Sequence, residues 1–128
     1  MTYLLVALGG ACGAMLRFAF SGWAGRTLGH GFPWGTFGVN VLGSFVMGLA
    51  AVLLMERAPG AWVRFAPLVM TGLLGGFTTF SAFSLDALYL IERGRLGVAT
   101  AYMAGSVAVS VLALWAGLAL ARAAFGEG

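Results

Sequence analysis

Long stretches without a charged residue dominate the chain. Four of them contain no Asp, Glu, Lys or Arg, and they cover residues 1–16, 27–55, 65–85 and 96–121. A helix that spans a bilayer needs about 20 mostly apolar residues. The pattern therefore predicts four transmembrane helices, near residues 3–20, 36–55, 62–91 and 96–121. The first stretch is short, but Arg17 can extend its side chain to the interface while Phe18 and Phe20 lengthen the apolar segment.

The composition supports a membrane protein and excludes a soluble or disordered one. Hydrophobic residues make up 61% of the 128 residues, and only 9% are charged. Soluble domains carry about 25% charged residues, and disorder requires low hydrophobicity. The chain is also too short for two domains. We therefore expect an all-α integral membrane protein, with a single four-helix domain over residues 1–128.

The seven cations are all arginines, and they are spread almost evenly over the two ends of the predicted helices. On one side lie the first and third connections, with Arg17, Arg26, Arg93 and Arg95. On the other side lie the termini and the second connection, with Arg57, Arg64 and Arg122. A four-to-three split gives almost no orientation preference under the positive-inside rule. Such a chain is a candidate for insertion in both orientations and for antiparallel pairing, although a weakly fixed topology fits the same count.

Small and polar residues recur at helical spacing on the first two helices. Gly9, Gly13 and Arg17 follow at intervals of four, and a GxxxG face lets two helices approach closely. Arg17 is expected either to reach the membrane surface or to draw anions into a vestibule. On the second helix, one face carries the amide of Asn40 and the hydroxyl of Ser44. An amide in lipid is costly without a partner, so Asn40 either bonds to another helix or lines a pathway.

The centre of the third helix has low helix propensity. Gly75 and Gly76 stand next to Thr78 and Thr79 in what should be the middle of the bilayer. Broken backbone at that depth persists only where protein buries it or where it lines a cavity. We infer a discontinuous helix, with a plain kink as the alternative. Freed carbonyls are typical ligands of a monovalent cation and exposed helix N-termini favour anions, so the break is a candidate ion site.

Aromatic rings and hydroxyls complete the set of candidate residues. Phe80 and Phe83 share a helical face, where they either pack against lipid and core or present positively polarised ring edges to a small anion. Tyr102, Ser106 and Ser110 place three hydroxyls on one face of the fourth helix, for helix contacts or for a pathway. Neutral donors with few embedded carboxylates favour an anion path. One four-helix chain is too thin to enclose a pore, so we expect an oligomer.

The order of these motifs resembles that of the Fluc (CrcB) fluoride channels over nearly the whole chain. Residues 9–17 read GGACGAMLR, like that family's GGxxGAxxR segment. Residues 35–45 read GTFGVNVLGSF, like its GTxxVNxxGSF segment. Residues 75–83 read GGFTTFSAF, like its GGxTTFSxF segment, which is the most specific of the three.

The resemblance implies an antiparallel, dual-topology homodimer with two fluoride pores at its interface. It implies passive, selective fluoride export across the inner (plasma) membrane, which lowers cytoplasmic fluoride, with no enzymatic activity and no nucleic-acid partner. It also implies a structural Na⁺ on the dimer axis, held by the backbone carbonyls of Gly75 and Thr78 of both copies. Arg17 matches the family's vestibule arginine. The implied pore residues are Asn40, Thr79, Phe80, Ser81, Phe83, Tyr102, Ser106 and Ser110.

Two other functions compete with a fluoride channel. A small proton-coupled multidrug antiporter would need a membrane-embedded carboxylate. The first helix has none, and Asp86, which stands where the Fluc family often has Glu, lies near the end of the third helix. A structural subunit of a larger complex would use the same polar faces for assembly alone. An enzyme is disfavoured because the sequence shows no nucleophile–base pair, and the single Cys12 and single His30 make no metal motif.

Overall fold

The computed structural model describes residues 1–56 and 60–125, with the backbone alone at residues 61 and 62. This part of the chain forms four helices that are long and apolar enough to cross a bilayer, which confirms the all-helical prediction. We name them α1 to α4, and their bounds are Thr2–Leu28, Trp34–Glu56, Val63–Glu92 and Leu96–Phe125. Large apolar side chains such as Phe18 and Trp115 lie exposed on the outside of the bundle. Such a surface requires lipid or protein rather than water around it.

Helix α1 continues to Leu28, well beyond its predicted end near residue 20. It ends at Gly29, whose φ of 84° is left-handed. The first helix therefore extends eight residues beyond its predicted end near residue 20, and Arg17 lies within it rather than close to its end. No proline interrupts residues 18–28, and Arg17 lies about 16 Å from the end of α1 at 1.5 Å per residue.

Because Arg17 lies within α1 rather than close to its end, it no longer counts among the arginines at the helix ends. Without it, Arg26, Arg93 and Arg95 remain on the side of the first and third connections. Arg64 and Arg122 lie on the other side, near the start of α3 and the end of α4. The sequence adds the remaining arginine, at position 57, to that second side, although this residue lies outside the described residues. The split is then three to three.

Helix α3 is broken in its middle. Its first half is irregular, with π-helical turns over Pro67–Leu74 followed by one α-helical turn over Gly75–Phe77. The backbone becomes extended at Thr78, where φ is −86° and ψ is 159°. The second half then resumes as a regular α-helix over Ser81–Glu92. The break falls where the glycine and threonine pairs predict it.

Glycines bring the helices into close contact in two places. Gly9 and Gly13 on α1 face the first half of α3, and a Cβ atom at either one would overlap main-chain carbonyls there. Gly48 on α2 and Gly117 on α4 are packed against each other's helix backbone in the same way. These contacts confirm that the GxxxG face of α1 is a packing face. They also place α2 against α4 and α1 against α3 within the bundle.

Polar side chains join the helix ends on both sides of the bundle. Arg95 follows the tight turn between α3 and α4, and its Nη1 donates to the Gly31 carbonyl at 2.6 Å. This bond links the first and third connections. At the opposite end, Arg122 donates to both carboxylate oxygens of Glu56, at 3.1 and 2.8 Å. That ion pair links the end of α2 to the end of α4.

Candidate functional site

A groove of about 460 Å³ opens on one face of the bundle beside the break in α3. Helices α2, α3 and α4 all contribute to it. Its polar lining residues are Asn40, Ser44, Thr78, Thr79, Ser106 and Ser110. Its other lining residues are Gly75, Phe80, Phe83, Val107 and Val111. Among the described residues, those that line this groove are all uncharged, so it offers amides, hydroxyls and ring edges rather than ions.

The amide of Asn40 replaces helical hydrogen bonds at the break. Its Oδ1 accepts a bond from the Thr79 N–H at 2.7 Å, and its Nδ2 donates to the Thr79 carbonyl at 3.0 Å. This paired contact joins α2 to α3 across 39 positions of sequence. An amide nitrogen carries two N–H donors, and only one of them is used in these bonds. The second remains available to the groove that Asn40 lines.

Several main-chain carbonyls lose their helical donors at the break, and those of Gly75 and Thr78 are among them. In a regular helix, the carbonyl of residue i accepts a bond from the N–H of residue i+4. The Thr79 N–H, which would serve Gly75, donates to Asn40 instead. The Ala82 N–H, which would serve Thr78, donates to the Thr79 Oγ1 at 3.1 Å. Within the described chain, the carbonyls of Gly75 and Thr78 therefore accept no backbone hydrogen bond.

Two hydroxyls on α4 lie buried in the groove without a partner. Ser106 is 6% exposed, and neither its Oγ nor that of Ser110 has a hydrogen-bond partner in the described part of the chain. Buried hydroxyls are normally satisfied, because desolvation without a bond costs free energy. These two hydroxyls are therefore free to bind a ligand in the groove.

Aromatic rings form a wall from the groove into the bundle. Phe80 is 77% exposed at the open side of the groove. Its ring centroid lies 5.5 Å from that of Phe83, which in turn lies 5.2 Å from that of Tyr102. Tyr102 is fully buried, and its hydroxyl donates to Asp86 Oδ2 at 3.3 Å. The Tyr102 ring thus lies behind the groove rather than on its surface.

A second, smaller pocket lies beyond Tyr102. Its volume is about 290 Å³, and Asp86 and Thr36 are among its lining residues. His30 and Arg93 also belong to its lining, close to the first connection. The bond between Tyr102 and Asp86 therefore lies between the groove and this pocket.

Arg17 and Ser81 lie outside the lining of the groove. Arg17 Nε donates to the Gly76 carbonyl at 3.0 Å, so the guanidinium is bound to the broken part of α3. Ser81 is exposed, and its Oγ lies 3.3 Å from the Thr79 Oγ1. Both residues remain close to the break, although neither contributes to the groove wall.

The structure thus brings most of the predicted pore residues together. Those that line the groove are Asn40, Thr79, Phe80, Phe83, Ser106 and Ser110. The two residues whose carbonyls are the predicted cation ligands, Gly75 and Thr78, also line this groove. The predicted set did not include Ser44, which lies one turn after Asn40 on the same face of α2 and lines the groove as well. Its four-residue spacing from Asn40 was the available signal.

The chain matches known proteins over almost its full length. A family model described as "CrcB-like protein, Camphor Resistance (CrcB)" matches residues 4–118. A relative from Rhodopseudomonas palustris (strain BisB5), named "Fluoride-specific ion channel FluC", is 54% identical over 123 residues, which are 96% of this chain and 98% of the relative. A protein of the same name from Cereibacter sphaeroides (strain ATCC 17029 / ATH 2.4.9) is 52% identical over 119 residues, or 93% of each chain. This protein therefore belongs to the CrcB (Fluc) family.

Proposed function

We propose that this protein is a fluoride-selective channel that exports fluoride passively across the inner (plasma) membrane and so lowers the cytoplasmic concentration of the ion. The relatives are named as fluoride-specific ion channels, and none of those names denotes an enzyme. The observation that carries the proposal is the uncharged groove with two buried, unpartnered hydroxyls. A channel for a hydrated anion needs such donors.

Fluoride is small and strongly hydrated, so it leaves water only where fixed donors replace its hydration shell. The groups in the groove that can donate to it include the free N–H of Asn40 and the unpartnered hydroxyls of Ser106 and Ser110. The ring edges of Phe80 and Phe83 add weaker, positively polarised contacts. An acid in the groove would repel an anion, and the described lining contains none.

A second copy of the chain is the proposed cover of the groove. The groove is open along one side, and Phe80 is mostly exposed there. A single chain therefore cannot shield an ion from lipid. The three-to-three arginine split leaves no preferred orientation, which supports pairing of two oppositely inserted copies in an antiparallel homodimer. Such a dimer contains two grooves and hence two pores.

Arg17 is the proposed vestibule residue. A charged side chain deep in a span is tolerated where it faces the bundle interior or a water-filled cavity. Arg17 lies far from the end of α1, and it is only partly buried beside the break. A guanidinium at that depth raises the local concentration of anions. It therefore serves to attract fluoride rather than to hold it.

The break also suits a structural Na⁺. Hard monovalent cations prefer oxygen ligands, and main-chain carbonyls at a broken helix are typical ligands. The carbonyls of Gly75 and Thr78 lack helical hydrogen-bond donors, and both residues line the groove. These residues fit the ion, and the same pair from a second copy would complete the ligand set. The ion would supply positive charge that holds two broken helices together.

Fluoride efflux from liposomes tests the proposed function. Vesicles that hold the purified protein are loaded with potassium fluoride, and release is read with a fluoride electrode after dilution. Release that requires valinomycin shows passive, electrogenic movement, whereas release without it would indicate coupling to protons. Chloride-loaded vesicles serve as the selectivity control. Failure of folded, dimeric protein to release fluoride would refute the proposal and favour the structural-subunit alternative.

A further inference from the structure

The buried side chain of Tyr102 contacts two aromatic rings and hydrogen-bonding side chains that include Thr36. Its ring centroid lies 5.2 Å from that of Phe83, which lines the groove. The ring of Phe32 lies 5.4 Å away at an interplanar angle of 89°, which is an edge contact. Asp86 accepts the bond from its hydroxyl. A tyrosine has two side-chain torsions, so these contacts determine where its hydroxyl points.

Phe32 differs from the other contacts because it belongs to no helix. It lies in the connection between α1 and α2, next to the turn at Gly31. This segment is nevertheless tied down, because the Arg95 guanidinium donates to the Gly31 carbonyl at 2.6 Å. The Trp34 N–H donates to the Phe32 carbonyl at 2.8 Å, and their rings pack with centroids 4.5 Å apart. These contacts tie the loop at Phe32 to the third connection and to the start of α2.

We propose that Phe32, held in place by the Arg95–Gly31 hydrogen bond, is a positioning residue that keeps the Tyr102 hydroxyl on Asp86. The inference rests on the proposed function and on Tyr102 as one of the pore residues that the resemblance implies. Phe32 also lines the second pocket. Without its ring, the space beside Tyr102 joins that pocket, and the tyrosine ring gains room to turn away from Asp86.

The consequence for transport follows from the position of Tyr102 between the groove and the second pocket. A fixed hydroxyl at that point presents a defined donor and acceptor to a passing ion. A mobile hydroxyl either blocks the path or leaves the passing ion without a hydrogen-bond partner at that point. Phe32 therefore acts on fluoride through Tyr102 and not by contact with the ion.

A double-mutant cycle tests this coupling in the valinomycin-dependent efflux assay. An edge contact between two rings contributes enough free energy that Phe32→Leu should slow fluoride release about three- to tenfold. The same substitution should have little effect in a Tyr102→Phe background, because the hydroxyl that it positions is already absent. Phe32→Tyr keeps the ring and should retain the rate. Trp23→Leu is the matched control, since that ring packs on Phe20 instead.

A spectroscopic measurement tests the same inference without relying on transport. The chain contains three tyrosines, so labelling with 3-fluorotyrosine yields few ¹⁹F signals, and loss of one in Tyr102→Phe assigns Tyr102. Phe32→Leu and Arg95→Gln should each shift or broaden that signal, whereas Trp23→Leu should not. An unchanged Tyr102 signal in Phe32→Leu overturns the inference. So does an equal loss of rate in both tyrosine backgrounds. Wild-type protein that releases no fluoride would instead overturn the proposed function, and the ¹⁹F result would still decide whether Phe32 positions Tyr102.

Discussion

Truncation of Asn40 should test whether the broken helix depends on a side chain from another helix. Asn40→Ala removes the two hydrogen bonds to the Thr79 backbone, of 2.7 and 3.0 Å. A net hydrogen bond is worth about 0.5–1.5 kcal/mol in proteins, and a measured average between membrane helices is about 0.6 kcal/mol. We therefore expect a loss of roughly 1–3 kcal/mol of stability from the two bonds.

The loss of Asn40 should also change the backbone at the break. The Thr79 N–H then needs another acceptor, and the Gly75 carbonyl, four residues earlier, is the partner that a regular helix would supply. That bond would occupy the free Gly75 carbonyl. The groove would also have lost the N–H donor of Asn40. We therefore expect fluoride release to be lost while the protein still folds into the proposed dimer.

Two further variants make this result interpretable. Asn40→Asp keeps an oxygen acceptor for the Thr79 N–H but loses the donor to the Thr79 carbonyl, so it should keep the break at Thr79, yet its negative charge should stop fluoride. Leu42→Ala changes a lipid-exposed side chain on the same helix and serves as the control. Thermal midpoints from loss of the dimer peak, together with efflux rates, give both readouts. Unchanged stability and unchanged efflux in Asn40→Ala would refute the reasoning.

The remaining predictions concern the buried hydroxyls, the glycine contacts and the cation. Ser106→Ala should slow fluoride release without lowering the thermal midpoint, because the lost hydroxyl makes no bond to the protein. Ser84→Ala is the control: the Ser84 hydroxyl bonds to its own helix, so its loss should leave release unchanged. Gly117→Ala should lower the thermal midpoint, because overpacking costs about 1–3 kcal/mol of stability. A Cβ atom at Gly97 meets open space, so Gly97→Ala should be tolerated. The yield of the proposed dimer after heating measures both. Replacing Na⁺ with a large organic cation should lower the thermal midpoint. The loss of stability is about 2.7 kcal/mol if Na⁺ was present at a hundred times its dissociation constant. An identical midpoint in both salts would argue against the ion.

The sequence allows the helices to be predicted well because lipid demands long uncharged segments. The exception is α1, since Arg17 resembles a boundary residue when charge alone is considered. Its side chain instead reaches the Gly76 carbonyl, which the break has deprived of a regular helical environment. A cation can thus stay inside a span when a neighbouring helix offers it an acceptor. The location of the break is likewise readable, because the glycine and threonine pairs lower helix propensity there.

The contacts that build the site cannot be derived from spacing. Periodicity places Asn40 on one face of α2, but its pairing with the Thr79 backbone depends on how two distant segments meet. The same holds for Phe32, which follows a loop glycine and shows no periodic signal, yet its ring lies against Tyr102. Such contacts arise from the packing of α2 against α4 and from the Arg95 bond that fixes the loop. They are visible only in three dimensions.

In the proposed function, the broken helix would let one small chain offer sites for ions of opposite sign, without a charged residue among the described residues that line the groove. At the break, the side chains of Asn40 and Thr79 accept hydrogen bonds from main-chain N–H groups. The carbonyls of Gly75 and Thr78 are therefore left without these donors. Unpaired acceptors of that kind favour a cation. On the facing helix α4, the unpaired groups are hydroxyls that can donate, which favours an anion. Because both sets are neutral, neither ion meets a fixed charge of the opposite sign in the groove that would hold it too tightly. A path for a strongly hydrated anion needs that balance, since an ion that binds too firmly does not leave.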